Sequence, residues 1–170
     1  MSIFSNLYPD EYRDSVYTLD FKEYYRMGYR GILFDIDNTL VPHGAPSTDK
    51  AVKLFEMLRQ LGFHTCLISN NKEPRVKPFA DDVKSEYVYN AHKPMKKNYL
   101  EAVKIIGTEV STTMFIGDQI FTDVYGAKRA GLYSVLLKPI NPKEEIQIVL
   151  KRYLEKPIIN AYLKKENKKK

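Results

Sequence analysis

The chain has 170 residues, enough for one domain with a full core, and its 44% hydrophobic and 28% charged residues exclude wholesale disorder. The net charge is +6, yet the terminal run "KKENKKK" (164–170), five lysines against one glutamate, holds four of those charges. A nearly neutral body with a basic tail argues against a nucleic-acid groove running across the fold.

The start, "MSIFSNLYPDEYRD", lacks a positive n-region and an apolar h-region, so no signal peptide is expected. Residues 1–29 are tyrosine-rich and predict a helix around "DFKEYYRMG", with the tyrosines packing rather than recognising a ligand. "GILFD" (31–35) is an apolar run ending in acid, and "DKAVKLFEMLRQLG" (49–62) places Val52, Phe55, Leu58 and Leu61 at helical spacing before Gly62. "FHTCLIS" (63–69) reads as a strand in which the lone cysteine, Cys66, is a small buried core residue and His64 is structural. One cysteine also excludes an internal disulfide framework, and no histidine–cysteine cluster offers a zinc site.

Further on, "KEPRVKPFADDVK" (72–84) is a weaker helix that Pro78 should kink or end. "EYVYNA" (86–91) is a short strand, and "PMKKNYLEAVKIIG" (94–107) is a helix with Pro94 in its first turn and Gly107 past its end. "TTMFIGD" (112–118) is a second apolar run ending in acid. "TDVYGAKRAG" (122–131) is a helix capped by Thr122 and closed by Gly131, and "YSVLLK" (133–138) is the last strand. Residues 143–163 set Ile146, Val149, Leu150, Tyr153 and Leu154 at helical spacing, interrupted by Pro157, a pattern expected to cover the sheet. The tail 164–170 is expected to be solvated and disordered. No apolar stretch approaches the roughly 18–20 residues that span a bilayer, so the expected location is cytoplasmic.

Strands of continuous apolar character alternating with helices predict an α/β fold, a three-layer, Rossmann-like, doubly wound parallel sheet. Ligands of such folds bind beyond the carboxyl ends of the strands, where the strand order reverses. The acids lie at those ends. Asp35 and Asp37, one residue apart, repel each other and require a compensating charge, which a hard cation such as Mg²⁺ supplies to one or two carboxylates. Asp118 ends another strand and Asp123 follows five residues later. Ser69, Asn70 and Lys93 offer donors for a phosphate, Lys93 at the start of a helix with its partial positive charge. These groups suffice for phosphoryl transfer to Asp35 with Asp37 as acid and base, Lys93, Ser69 and Mg²⁺ neutralising the phosphoryl oxygens.

"DIDNT" (35–39), "SN" (69–70), "KP" (93–94) and "GDQIFTD" (117–123) resemble, in order and spacing, the four motifs of the haloacid dehalogenase-like (HAD) phosphatases. The resemblance covers roughly residues 28–138, with 1–27 as an N-terminal extension and the whole chain as one domain. It implies that Asp35 is the nucleophile and a metal ligand, and that Asp37 is the acid/base whose main-chain carbonyl also binds metal. It further implies that Thr39 and Ser69 hold phosphate, that Lys93 steadies nucleophile and phosphate, and that Asp118 binds Mg²⁺ with Asp123 behind it. "FDIDNTLVP", "SNN" and "GDQIFTDVYGAKRAG" are closer to the subfamily IIIA, YqeG-type phosphatases, which are similar to mitochondrial phosphatidylglycerophosphate phosphatases.

The resemblance therefore implies a phosphorylated substrate, with a lipid-linked one among the options. A sugar-phosphate or nucleotide phosphatase, and a binding or assembly factor with little activity, are the alternatives. The tail could add peripheral contact with the inner face of a membrane, and an oligomer is open. His43 and His92, both near motifs, could touch substrate or the site. Only "VPHGAPST" separates the first motif from the next helix, and residues 71–92 hold one helix and one strand. Neither gap can fold into a cap domain, which predicts an open site at the edge of the sheet.

Overall fold

The computed structural model describes residues 3–141 and 146–169. Its elements in chain order are β1 (Glu11–Arg13), α1 (Phe21–Arg26), β2 (Gly31–Phe34), α2 (Asp49–Leu61), β3 (His64–Ile68), α3 (Glu73–Val83), β4 (Glu86–Val88), α4 (Lys96–Ile105), β5 (Thr113–Gly117), α5 (Tyr125–Arg129), β6 (Tyr133–Leu137) and α6 (Ile146–Asn167). The strands form one sheet in the order β1-β6-β5-β2-β3-β4, with every pairing parallel. This is the expected doubly wound α/β architecture. From β2 the chain builds outward to β3 and β4, then returns to β2's other side for β5 and β6, so the order reverses at β2.

Alternation along each strand divides the core into two faces. Ile32, Phe34, Leu67, Met114 and Ile116 meet Phe55 and Leu58 of α2 and Val76, Phe79 and Val83 of α3. Leu33, Cys66, Ile68 and Phe115 meet Tyr99, Ala102 and Val103 of α4 and Ala127 of α5. Cys66 is the buried core residue that its apolar setting implies, and burial pushes its thiol pKa up. The N-terminal tyrosines pack as expected: Tyr24 is buried, and Tyr17, Tyr25 and Tyr29 lie against the first face.

Several elements depart from the sequence reading. Glu11-Tyr12-Arg13 has no apolar run and gives no strand signal, yet it forms β1, held by register with Val135–Leu137 and by Asp10, which accepts from the Ser134 amide at 2.8 Å and from Lys128 Nζ at 2.7 Å. α3 runs through Pro78. The proline sits one turn into the helix, so its missing N–H removes only the bond to the carbonyl of Pro74. Lys93–Pro94 is a cis peptide and α4 begins only at Lys96, so Pro94 lies before the helix. A π-helical turn, Ile120–Val124, precedes α5, which places Thr122 inside the turn rather than at its cap. The Ile120 and Phe121 amides instead donate to Glu155 Oε1, at 2.8 and 3.5 Å.

The largest difference is α6. It extends to Asn167 through Pro157 and takes in the first residues of the tail that was expected to be disordered. Most of its stripe faces the wrong way for covering a sheet: Ile146, Leu150, Tyr153 and Leu154 are 80, 62, 65 and 64% exposed, and only Val149 is half-buried. The face turned inward carries Arg152, the buried Glu155 and the buried Tyr162, with Ile158 and Ile159 against Ile120, Val124 and Leu136. The amides and the carboxylate at the end of β5 need charged partners, and α6 supplies them.

Candidate active site

The first acid is placed by the sheet itself. Asp35 N donates to Ile116 O at 2.9 Å, extending the β2–β5 ladder by one residue and fixing the carboxylate at the strand's end. The chain then turns tightly: the Thr39 and Leu40 amides donate to Ile36 O, and Asn38, at φ 62°, returns its own amide to Val41 O. Asparagine tolerates this left-handed backbone better than most residues. The turn buries Asp35 and Thr39 and brings the Thr39 hydroxyl to 3.2 Å from Asp118 Oδ1 and 3.4 Å from Asp35 Oδ2.

Asp118 follows β5 and is held from two directions. Arg152 of α6 donates to its Oδ2 and to its main-chain carbonyl. Asp123 sits behind it, its Oδ2 accepting from the Asp118 and Gln119 amides at 3.1 Å each. That carboxylate presses on the preceding glycine: a Cβ on Gly117 would lie 2.5 Å from Asp123 Oδ2. Ligand atoms of Asp35, Asp118 and Asp123 all lie within 4.8 Å of one another, each residue buried.

Lys93 is the cation at the centre. Its side chain is 4% exposed, and Nζ donates to Asp35 Oδ1 at 2.6 Å and Asp123 Oδ1 at 2.7 Å. Its amide donates to Asn70 Oδ1 at 2.7 Å, so Asn70 positions the lysine through its backbone. Burial works against the charged lysine, but Asp123 and Asp35 together outweigh it and hold its pKa well above the ordinary value. Burial raises Asp35 to about 6, with Lys93 pulling it down and Asp123 pushing it up. Burial also raises Asp118, reinforced by Asp35 and Asp123 and opposed by Arg152. A site that raises its own carboxylates in this way lacks positive charge.

Asp37 lies on the other side of the turn. Its Oδ1 accepts from Arg75 at 2.9 Å and from the Gly44 amide at 2.7 Å, and its Oδ2 from Asn71 Nδ2 at 2.7 Å. Ser69, buried after β3, has its hydroxyl oxygen against the amide of Asn71 at 3.1 Å. Asp35, Asp37, Ser69, Asn70 and Lys93 line one cavity of about 240 Å³, together with His43. His92 is exposed, and His64 opens β3 with an exposed side chain.

The structure thus brings Asp35, Thr39, Lys93, Asp118 and Asp123 into direct contact, with Asp37, Ser69 and Asn70 alongside. It adds residues that the motifs did not reveal: Asn71, Arg75 and Arg152. Asn71 belongs to the "SNN" stretch but carries no expected role, and the two arginines reach in from α3 and α6 and leave no local signal. The expected placement at the sheet's edge changes. The cluster lies over the central strands, and Ile148 and Lys151 of α6 line the same cavity, so the C-terminal helix forms part of its wall. The gaps after β2 and between β3 and Lys93 hold only a loop and the pair α3–β4, as their length requires.

The haloacid dehalogenase-like hydrolase profile matches residues 43–131, and the chain belongs to that family. Among named relatives, the probable phosphatase YqeG of Bacillus subtilis is 31% identical over 158 residues, 92% of each chain. The chloroplastic/mitochondrial phosphatidylglycerophosphate phosphatase 1 of Arabidopsis thaliana is 26% identical over 164 residues, which span 86% of this chain and 45% of that one. Within the family the chain groups with phosphatases. A cobalt-bound deoxy-D-mannose-octulosonate 8-phosphate phosphatase from Haemophilus influenzae shares the fold at a TM-score of 0.53 and 12% identity, covering 79% of this chain and 90% of that one.

Proposed function

We propose that this phosphatase hydrolyses a phosphomonoester through a phosphoryl-aspartate on Asp35, with Mg²⁺ as cofactor, and that the phosphate it removes is carried on a lipid of the phosphatidylglycerophosphate type. The observation that carries the mechanism is the buried cluster of Asp35, Asp118 and Asp123 around a single lysine at the ends of the central strands. Its donors are hard carboxylate oxygens with no imidazole or thiolate, which suits Mg²⁺. Asp35, Asp118 and the Asp37 main-chain carbonyl would hold the ion. Both oxygens of Asp123 are engaged, by Lys93 and by two amides, which suits a supporting role behind Asp118. The chemistry the ion supplies is charge compensation, for the carboxylates at rest and for the phosphoryl oxygens in transit.

The protein's own groups account for the remaining steps. Lys93 holds the Asp35 carboxylate in a fixed orientation and favours its ionised form, the form that attacks phosphorus. As the phosphorus–oxygen bond to the leaving group breaks, Asp37 donates a proton to that oxygen. Asp37 then takes a proton from the water that attacks the phosphoryl-aspartate, releasing inorganic phosphate and restoring the Asp35 carboxylate. Arg75, Asn71 and Gly44 position Asp37 for both transfers. The Ser69 and Thr39 hydroxyls and Lys93 donate to the phosphoryl oxygens.

The lipid assignment rests on the similarity to phosphatidylglycerophosphate phosphatase 1 and on connections after β2 and β3 too short to hold a cap domain. Asp35→Asn should abolish turnover of an aryl phosphate while the circular dichroism spectrum stays unchanged, and EDTA should do the same reversibly. Phosphate release from phosphatidylglycerophosphate should exceed release from sugar phosphates and nucleotides. Full aryl-phosphate activity in folded Asp35→Asn would refute the mechanism, and preference for a soluble metabolite would refute the lipid.

A further inference from the structure

We propose that the outward face of α6 is a docking surface on which this enzyme lies against an anionic lipid bilayer; the proposal builds on the lipid-phosphate reading above but is tested independently of it. Surface helices normally bury their apolar stripe and expose their charges. α6 packs Ile158, Ile159 and Tyr162 inward yet leaves a second apolar stripe uncovered. At 100° per residue, Ile146, Leu150, Tyr153, Leu154, Pro157 and Ala161 share one face, and all six are exposed. The opposite face is committed to the protein through Arg152 on Asp118, Glu155 on the Ile120 amide and Tyr162 on the Asp10 carbonyl. Rotating the helix to bury its apolar stripe would break all three.

Charge selects the occupant. Exposed Lys151 and Lys165 flank the stripe on one side and Lys156 on the other, with Lys164 following along it. The acids of α6 are elsewhere: Glu155 is buried and Glu166 lies on the inward face. An apolar strip bordered by lysines is complementary to a layer whose acyl region lies beneath anionic headgroups. A second copy of the same face would oppose lysine to lysine. Insertion across the membrane is not an option for α6, since among the described residues no helix is long and apolar enough to cross. The helix is about 33 Å long and would lie in the interface plane.

Position links the surface to the chemistry. The helix that carries the stripe also gives Ile148 and Lys151 to the catalytic cavity and ties Arg152 to Asp118. A bilayer contacting α6 therefore meets the cavity mouth at headgroup level, where a lipid-borne phosphate would present itself. A phosphate in solution would gain nothing from this arrangement.

The test is co-sedimentation of the full chain with vesicles of phosphatidylglycerol or of phosphatidylcholine, neither carrying a phosphomonoester. The wild type should bind the anionic vesicles, weaken as salt is raised, and ignore the neutral ones. Leu150→Asp with Leu154→Asp should lower partitioning by at least about 100-fold, the expected effect of losing two buried leucines. Lys164→Glu with Lys165→Glu should lower it by about tenfold or more. Both variants change exposed residues away from the cavity, and aryl-phosphate turnover should stay at the wild-type level. Equal partitioning of wild type and the Leu150/Leu154 variant, or no binding of the wild type to anionic vesicles, would overturn the proposal. A concentration-dependent dimer that the leucine variant disperses would assign the face to a second copy and overturn it as well. Binding to these vesicles joined to no phosphate release from phosphatidylglycerophosphate would uphold the docking surface and sink the substrate reading alone.

Discussion

Lys93→Met is the substitution that measures what the acid cluster costs. Methionine preserves the length and apolar volume of the lysine stem but removes the charge that stands 2.6 Å from Asp35 and 2.7 Å from Asp123. Both carboxylates are buried, so water cannot take over the role of Nζ. Removing one partner of a buried pair costs about 3–5 kcal/mol, because the other is left charged in a poor solvent. In a domain of this size that corresponds to roughly 6–20 °C of melting temperature. The assay is thermal or urea unfolding near neutral pH in EDTA, repeated with excess Mg²⁺. The gap between variant and wild type should be full without metal and should narrow with it, since a bound divalent ion replaces the missing charge. It should also narrow in acid, where the carboxylates take up protons instead. A metal-free variant within about 1 kcal/mol of wild type, the range of an exposed ion pair, would refute the account of Lys93 as the cluster's central cation.

The metal-free wild type should show a related pH dependence. Asp35 is raised to about 6 from an ordinary value of 3.8, so the folded state binds its proton more tightly than the unfolded chain does. Stability should therefore rise as pH falls from about 7 toward 4, by up to about 3 kcal/mol from Asp35, with Asp118 shifted in the same direction; unfolding titrations that are flat or slope the other way would refute it. Excess Mg²⁺ should remove this rise, because an ion on the carboxylates favours their charged form. Gly117→Ala should destabilise by about 1–3 kcal/mol, since its Cβ would meet Asp123 Oδ2 at 2.5 Å, and should lower aryl-phosphate turnover as Asp123 shifts away from the Asp118 amide. Arg152→Gln should raise Mg²⁺ affinity by about tenfold, measured by titrating the ion against thermal stability, because it removes a cation from Asp118 Oδ2.

The central elements were legible because their local chemistry is unambiguous. Apolar runs ending in acid at 31–35 and 112–118 became β2 and β5, and Gly62, at φ 99°, closes α2 where the pattern stops. The residues Asp35, Lys93 and Asp118 meet as the motif order implies, because parallel strands bring their carboxyl ends together. What stayed hidden depends on partners distant in sequence. β1 has two charged residues in three and exists through its register with β6. The first amides of the turn after Gln119 are satisfied by Glu155 rather than by a neighbouring hydroxyl, which displaced Thr122 from the cap. α6 is the clearest case. Its periodicity says which residues share a face, but only the demand of Asp118 and the Ile120 amide for charged partners decides which face turns inward. Arg75 reaches Asp37 across 38 positions of sequence, a distance no local pattern reports.

The lateral strands of the sheet have a consequence for how the molecule behaves in a crowd. A wide parallel sheet ends on two rows of backbone donors and acceptors that another chain could pair with. Here both rows are brief: β1 and β4 are three residues each. β1 starts and ends on charge, Glu11 and Arg13, and β4 starts on Glu86. Beyond β4 the chain bends into left-handed backbone at Asn90 and His92, which ends any extended ladder. The four longer, apolar strands are all interior, so the segments best able to seed aggregation are the ones already paired on both sides.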